Sequence, residues 1–234
     1  MEEYEKIREE TFHMMIHDLK SPLVFVKGSI ELMLEGKGGK LNKNQRDLLE
    51  MVLRGCNRVL TMISNILDLD KIKEGKYKIF KEEFFLEDFL EEEVKLYRKK
   101  CEIYGKEFIF KMDIGKKRKI FADRRLLSRI FENLISNAIR HSDSEKGMIE
   151  FLVNFNEKNN CFYFSIYNNG EKIDENVKKD IFKKYTLSPS SYNKGGSGLG
   201  LYFCKVAVEL HGGKIWVEDG ERNGTKFVIE MCFE

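Results

Sequence analysis

Apolar residues in the first third of the chain recur at one strict interval, and this constrains the fold more than any other feature. From Phe12 they fall at Phe12, Ile16, Leu19, Leu23, Val26, Ile30 and Met33, alternating steps of 4 and 3. That alternation lays a narrow apolar seam along a helix and suits lengthwise packing against other helices. The helix begins near Glu3, and the three glycines of EGKGGKLN, residues 35–42, end it. Asn42, with Gln45 three positions on, offers an N-cap for a second helix. That helix repeats the seam at Leu49, Val52, Cys56, Val59, Ile63 and Ile66. Two such helices form an antiparallel hairpin. Each seam is too continuous to be covered within one hairpin, so two copies are expected to associate as a four-helix bundle.

The polar stretch KIKEGKYK, residues 71–78, reads as a linker, and the texture changes beyond it. Strand-like YKIF is followed by a helix with Leu86, Leu90, Val94, Tyr97 and Cys101 on one face, then strands at EFIFKMD and KIFAD. A helix over Arg124–His141 precedes a hairpin of MIEFLVNFNE and CFYFSIYN. A short helix near Glu175–Phe182, a Ser/Asn/Gly-rich loop to Gly196, a helix ending at His211 and two strands close the chain. Helices mixed with largely antiparallel strands predict an α+β sandwich.

A net charge of +2, from 41 basic and 39 acidic side chains, provides no general attraction for nucleic acid. The five cysteines lie tens of residues apart without metal-site spacing, which predicts buried reduced thiols and a cytoplasmic setting rather than a disulfide or zinc framework. No apolar run reaches the roughly 18 residues of a membrane span, so no membrane contact is expected from these residues.

Four short stretches carry chemistry. In IHDLKSPL, His17 flanks the seam beside Asp18, and Pro22 removes the amide that would bond the Asp18 carbonyl, which predicts a bend one turn past the histidine. A carboxylate holding one imidazole nitrogen's proton leaves the other nitrogen's lone pair free for attack. A solvated surface histidine fits the same residues. On the Arg124–His141 helix, Asn133, Asn137, Arg140 and His141 form a polar stripe beside the apolar Leu127, Ile130, Leu134 and Ala138. Neutral amide oxygens suit magnesium where phosphates bring the charge, although a plain solvated face has the same pattern. In SIYNNG, Asn168 continues a buried strand face at its exit and Gly170 marks a turn. In KGGSGLGLYFCK, glycines stand just ahead of an amphipathic helix, where bare amides can cradle phosphates or simply make a flexible connection.

Taken together and in order, these stretches resemble the transmitter region of two-component sensor histidine kinases across nearly the whole chain. IHDLKSPL is similar to the phosphoacceptor box, FENLISNAIRHS to the N box, YNNGEKI and GGSGLGLYFCK to the two glycine boxes, IFKKY to the F box, and NGTKF to the closing Gly-Thr segment. The resemblance implies a dimerisation and phosphotransfer hairpin over 1–73, a linker at 74–78, and over 79–234 an α/β sandwich ATP-binding domain of the histidine kinase, gyrase and Hsp90 type. It implies ATP and Mg2+ as cofactors, and a homodimer and a response-regulator receiver domain as partners. His17 would be the nucleophile and Asp18 its acidic neighbour. Ser21 would stand where relatives carry a residue used to dephosphorylate the regulator. Asn137 would ligate magnesium and Asn133 line the site. Arg140 and His141 would contact phosphates, and Lys183, Lys184 or Lys194 would substitute for a missing F-box arginine. Gly196, Gly198 and Gly200 would shape the phosphate loop, Leu199 would lie beside the nucleotide, and Gly170 and Thr225 would complete the base pocket. ATP-hydrolysing relatives of this fold carry glutamate where this chain has Asn133, and an amide cannot activate water as that base does.

Three positions depart from the family pattern. Asn168 replaces an aspartate that accepts from the adenine amino group, a loss of about 1 kcal/mol of charge assistance. Lys172 replaces a glycine, and Leu187 replaces the arginine. The resemblance implies an active autokinase; these departures define the alternative, a dimeric scaffold with a degenerate nucleotide site.

Overall fold

The computed structural model describes the backbone of residues 2–73, 78–186, 198–221 and 223–233, and side chains for the same residues except 2–13, 17 and 71–73. The chain divides into two compact units, residues 1–77 and 78–234.

The first unit is a helical hairpin of α1 (Glu2–Leu34) and α2 (Lys43–Lys73). Gly36, at φ +85°, ends α1 by bonding its amide to the Met33 carbonyl, while Lys37 bonds that of Leu32, a left-handed cap suited to glycine. The start of α2 is the reciprocal box expected from Asn42 and Gln45. Gln45 N donates to Asn42 Oδ1, and Asn42 N to Gln45 Oε1, each at 2.9 Å. Pro22 lies inside α1 without ending it. The seam divides by heptad position: Ile16 and Ile30 are 8% and 6% exposed, while Leu19, Val26 and Met33 are 57%, 42% and 41% exposed. In α2 likewise, Cys56 and Ile63 are buried while Val52 and Val59 are not.

The second unit begins with β1 (Glu82–Phe85), α3 (Leu86–Ile103), β2 (Glu107–Asp113), β3 (Lys119–Ala122) and α4 (Arg124–His141). It continues with β4 (Met148–Asn156), β5 (Cys161–Asn168), a one-turn α5 (Glu175–Lys178), α6 (Gly200–Leu210), β6 (Lys214–Asp219) and β7 (Thr225–Met231). Five strands form a sheet in the order β2-β4-β5-β7-β6, antiparallel except for β2 beside β4, and β1 pairs with β3 in a separate ribbon. Helices α3, α4 and α6 supply the apolar layer against this sheet through fully buried residues such as Phe89, Leu127, Phe131 and Phe203.

Three expectations need correction. YKIF does not form the first strand: 74–77 lie outside the described residues, and pairing starts at Glu82, because Phe84 and Phe85 find partners in Ile120 and Lys119. The helix expected near 175–182 stops at Lys178 and passes into turns. The cysteines are not all thiols. Phe162 opposes Met231 in the β5–β7 register, so the next pair outward is Cys161 and Cys232, which form a disulfide with Cα atoms 4.1 Å apart. Cys56, Cys101 and Cys204 are free and buried.

Helix α4 is fixed at its start by buried Asp123, whose Oδ1 accepts from Arg125 N and Leu126 N at 3.0 and 3.1 Å and whose Oδ2 accepts from Phe80 N at 2.9 Å. The Asp123 amide donates to His211 Nε2 at 3.1 Å, so the imidazole proton sits on Nδ1, 2.8 Å from the Ala207 carbonyl it bonds. Burial pushes the His211 pKa below its ordinary value, assisted by the Lys81 charge. The unfolded chain therefore takes up a proton below pH about 6.5 that the folded chain refuses. The thermal midpoint is expected to fall as pH is lowered through that value, and His211→Leu is expected to flatten this part of the pH profile, as followed by calorimetry.

Candidate functional site

Aromatic packing decides which face of α4 is left for chemistry. Phe131 packs on Phe151 of β4 and Phe164 of β5, with ring centroids 5.3 and 5.1 Å apart. This turns Leu127, Ile130, Leu134 and Ala138 onto the sheet and leaves Asn133, Asn137, Arg140 and His141 half-buried along the adjacent stripe.

Asn133 is oriented at both ends. Its Nδ2 donates to the Arg129 carbonyl at 2.9 Å, while its Oδ1 lies 3.2 Å from where a Cβ on Gly200 would sit. The polar stripe of α4 thus meets the N-terminus of α6. Leu199 at that cap is buried and gives no side-chain hydrogen bond to the helix, so the first amides of α6 keep the partial positive charge of a helix start. Gly198 has φ +67°, and its Cβ would lie 2.6 Å from Tyr185 Cα; this close approach lets Tyr185 N donate to the Gly198 carbonyl at 3.0 Å.

Asn168 ends β5, opposite Ile149 on one side and Thr225 on the other. It is buried, and Nδ2 has no acceptor among the described residues. Thr225 Oγ1 donates to the Glu171 carbonyl at 3.1 Å. Gly170 passes so close to the end of α4 that a Cβ there would lie 1.6 Å from the His141 carbonyl oxygen and 3.0 Å from Asn168 Nδ2. The β5 exit, the end of α4 and the start of β7 therefore meet at one point.

Other expected site residues fall elsewhere. Asp18 and Ser21 are exposed on α1, and His17 lies in that helix with its side chain outside the described residues. Lys194, Gly196 and Leu187 lie outside them as well. Lys172, standing where the pattern has glycine, is drawn to Asp219 at 3.7 Å, and the same carboxylate accepts from Lys178 Nζ at 2.7 Å. These lysines hold the Asp219 carboxyl below its usual range, Lys178 most strongly.

Two positioning groups had no signal in the pattern of residues. Asn169 accepts from Met148 N at 2.8 Å and donates to the Lys146 carbonyl at 2.6 Å, stapling the α4–β4 loop to the end of β5. Asp123 and His211 lock the far ends of α4 and α6 together. Both depend on groups 20 or more positions apart, beyond the reach of periodicity.

Magnesium fits what is present in one respect. Asn137 is half-buried on the polar stripe of α4, and a neutral amide oxygen is a donor type that suits magnesium beside phosphate oxygens.

The phospho-acceptor His Kinase A family matches residues 7–75, and the histidine kinase-, DNA gyrase B- and HSP90-like ATPase family matches residues 122–234. The chain belongs to the sensor histidine kinases. It is similar to the hybrid signal transduction protein dokA of Dictyostelium discoideum, 31% identical over 90% of this chain and 13% of that protein. The sensor protein KdpD of Clostridium acetobutylicum is 31% identical over 98% of this chain and 25% of its own length. The chain thus spans well under a third of the curated relatives it matches. Among solved structures, full-length ShkA in complex with AMPPNP shares the fold with a TM-score of 0.73 at 20% identity, covering 96% of this chain and 46% of ShkA. The histidine kinase ThkA in complex with the response regulator protein TrrA aligns with a TM-score of 0.61 at 24% identity, over 99% of this chain and 64% of ThkA. No helix among the described residues is long and apolar enough to cross a membrane.

In this histidine kinase chain the Gly170 contact holds the exit of β5 against the end of α4. Gly170→Ala must separate β5 from α4, and we expect a loss of at least about 2 kcal/mol in denaturant unfolding, accompanied by weaker nucleotide binding in a fluorescence titration.

Proposed function

We propose that the chain is an ATP-dependent protein histidine autokinase that phosphorylates His17 and passes the phosphoryl group to an aspartate of a response-regulator receiver domain. The observation that carries this reading is the seating of Asn133 against the start of α6, which brings a neutral amide stripe and a helix N-terminus together. That arrangement suits triphosphate binding, with charge neutralised by a bound magnesium ion. AMPPNP in ShkA and TrrA on ThkA support the same reading by analogy of fold.

In the first step a His17 imidazole nitrogen forms a bond to the γ-phosphorus as the bond to the ADP oxygen breaks, and the ring proton is lost to Asp18 or solvent. Asn137 would hold magnesium. Arg140 and His141, at the basic end of α4, would neutralise phosphate charge, with Lys194 as a further cation. Gly196, Gly198 and Gly200 would let the backbone approach the phosphates, and Leu199, Gly170 and Thr225 would enclose the base. Such a reaction needs alignment and charge neutralisation more than covalent help from the protein. Asn133 has no basic group for activating water, which leaves the histidine as acceptor. The residue domains would be 1–73 for phosphotransfer, 74–78 for the linker and 79–234 for nucleotide binding.

Leu19, Val26, Met33, Val52 and Val59 are too exposed for heptad seam positions in a lone hairpin. They support a homodimer in which a second copy covers them as a four-helix bundle. Ser21, exposed one turn after His17, keeps a hydroxyl that can orient water, which supports phosphatase activity toward the regulator.

Incubation with γ-labelled ATP and magnesium should place an acid-labile phosphate on His17. His17→Ala should abolish the label, and Asn137→Ala should lower it by a hundredfold or so, as expected for losing a ligand of the charge-neutralising ion. An unlabelled wild-type chain at saturating ATP would favour the scaffold reading. Sedimentation should give a dimer, and Val26→Glu is expected to shift it toward monomer.

A further inference from the structure

Asn168 has 1% of its surface exposed, and its Nδ2 finds no acceptor among the described residues. Buried donors are rarely left unmade, because the lost hydration is not returned. Neither neighbouring polar side chain receives it: Thr225 Oγ1 donates to the Glu171 carbonyl, and the Asn169 carboxamide bonds Met148 N and the Lys146 carbonyl. Gly170 contributes no side chain, although its Cβ position lies 3.0 Å from the orphan nitrogen. The donor therefore stands at the meeting point of α4, β5 and β7 with no protein group to receive it.

We propose that Asn168 opens the base site to 6-oxopurine nucleotides, so that the chain binds inosine and guanosine nucleotides as well as adenosine nucleotides. This rests on the nucleotide-site reading above. The six-position of a purine is a donor in adenine, where it bears an amine, and an acceptor in guanine or hypoxanthine, where it bears O6. An ionised carboxylate at 168 would offer acceptors only and would set its lone pairs against those of O6. A carboxamide offers both signs. Its Nδ2 meets O6 while its carbonyl oxygen accepts the adjacent ring N1–H, and rotation of the same group by half a turn serves the amine and bare N1 of adenine. The cross-strand neighbours Ile149 and Thr225 carry no charge that would force one orientation. The atom left unpartnered in the structure is the one O6 requires.

The test is calorimetric titration of the whole chain, with magnesium, against ADP and IDP. Hypoxanthine differs from adenine at the six-position and its ring N1 proton, and lacks the 2-amino group of guanine. The wild type is expected to bind IDP within about tenfold of ADP, and Asn168→Asp to shift the ratio toward ADP by about tenfold or more. Discrimination against IDP beyond about tenfold in the wild type overturns the inference and leaves the nucleotide site standing. An unchanged ratio in a folded Asn168→Asp chain overturns the assignment to this residue. Absence of binding by either nucleotide overturns this inference together with the nucleotide-site reading. The wild-type ratio decides the matter even if the variant does not fold.

Discussion

Seating Phe131 between Phe151 and Phe164 is the contact on which the second unit depends. Three buried rings from α4, β4 and β5 leave α4 one permitted roll angle on the sheet. That angle turns the residues two and six positions beyond Phe131, Asn133 and Asn137, off the apolar face. The polar stripe is therefore a by-product of core packing. A smaller side chain at 131 would leave a cavity and let the helix rotate, so the site's geometry and the core's density are one constraint.

Glycines let neighbouring backbone close in on that helix. At Gly170 the backbone nearly touches the end of α4, and at Gly200 the start of α6 nearly touches Asn133. The first leaves no room for a side chain, and the second is tight enough that Asn133 would have to give way by a few tenths of an ångström. Asp123 and His211 tie the opposite ends of α4 and α6, so the two helices are braced away from the point where Asn133 meets Gly200. The neutral histidine in that brace makes the scaffold more sensitive to mild acid than its net charge suggests.

The hairpin seals only half of its own seam. Within a single chain only every second seam position, Ile16, Ile30, Cys56 and Ile63, is sealed, while Leu19, Val26, Val52 and Val59 remain open. A 4-3 repeat contains two heptad positions, and a two-helix contact covers one of them. The remaining stripe supports self-association more directly than overall hydrophobicity does.

Much of this was legible in the chain. The 4-3 spacing specified the hairpin, the Asn42 and Gln45 pair specified the second helix's start, and the core-facing stripe of α4 followed from its apolar period. Such features depend on neighbours within a turn or two, where helix geometry turns spacing directly into position. The first strand was misplaced because YKIF and EEFF are both strand-like, and only Ile120 and Lys119, some 35 positions away, choose between them. The Cys161–Cys232 bond was missed for the same reason: it follows from strand register across 71 residues of separation. So did the ties from Lys172 to Asp219 and from Asp123 to His211. By itself the sequence determined the long helices, their amphipathic faces and the family. Only the tertiary structure decided which polar groups meet and which buried donor, Asn168 Nδ2, meets nothing, because those depend on contacts between segments that local periodicity does not encode.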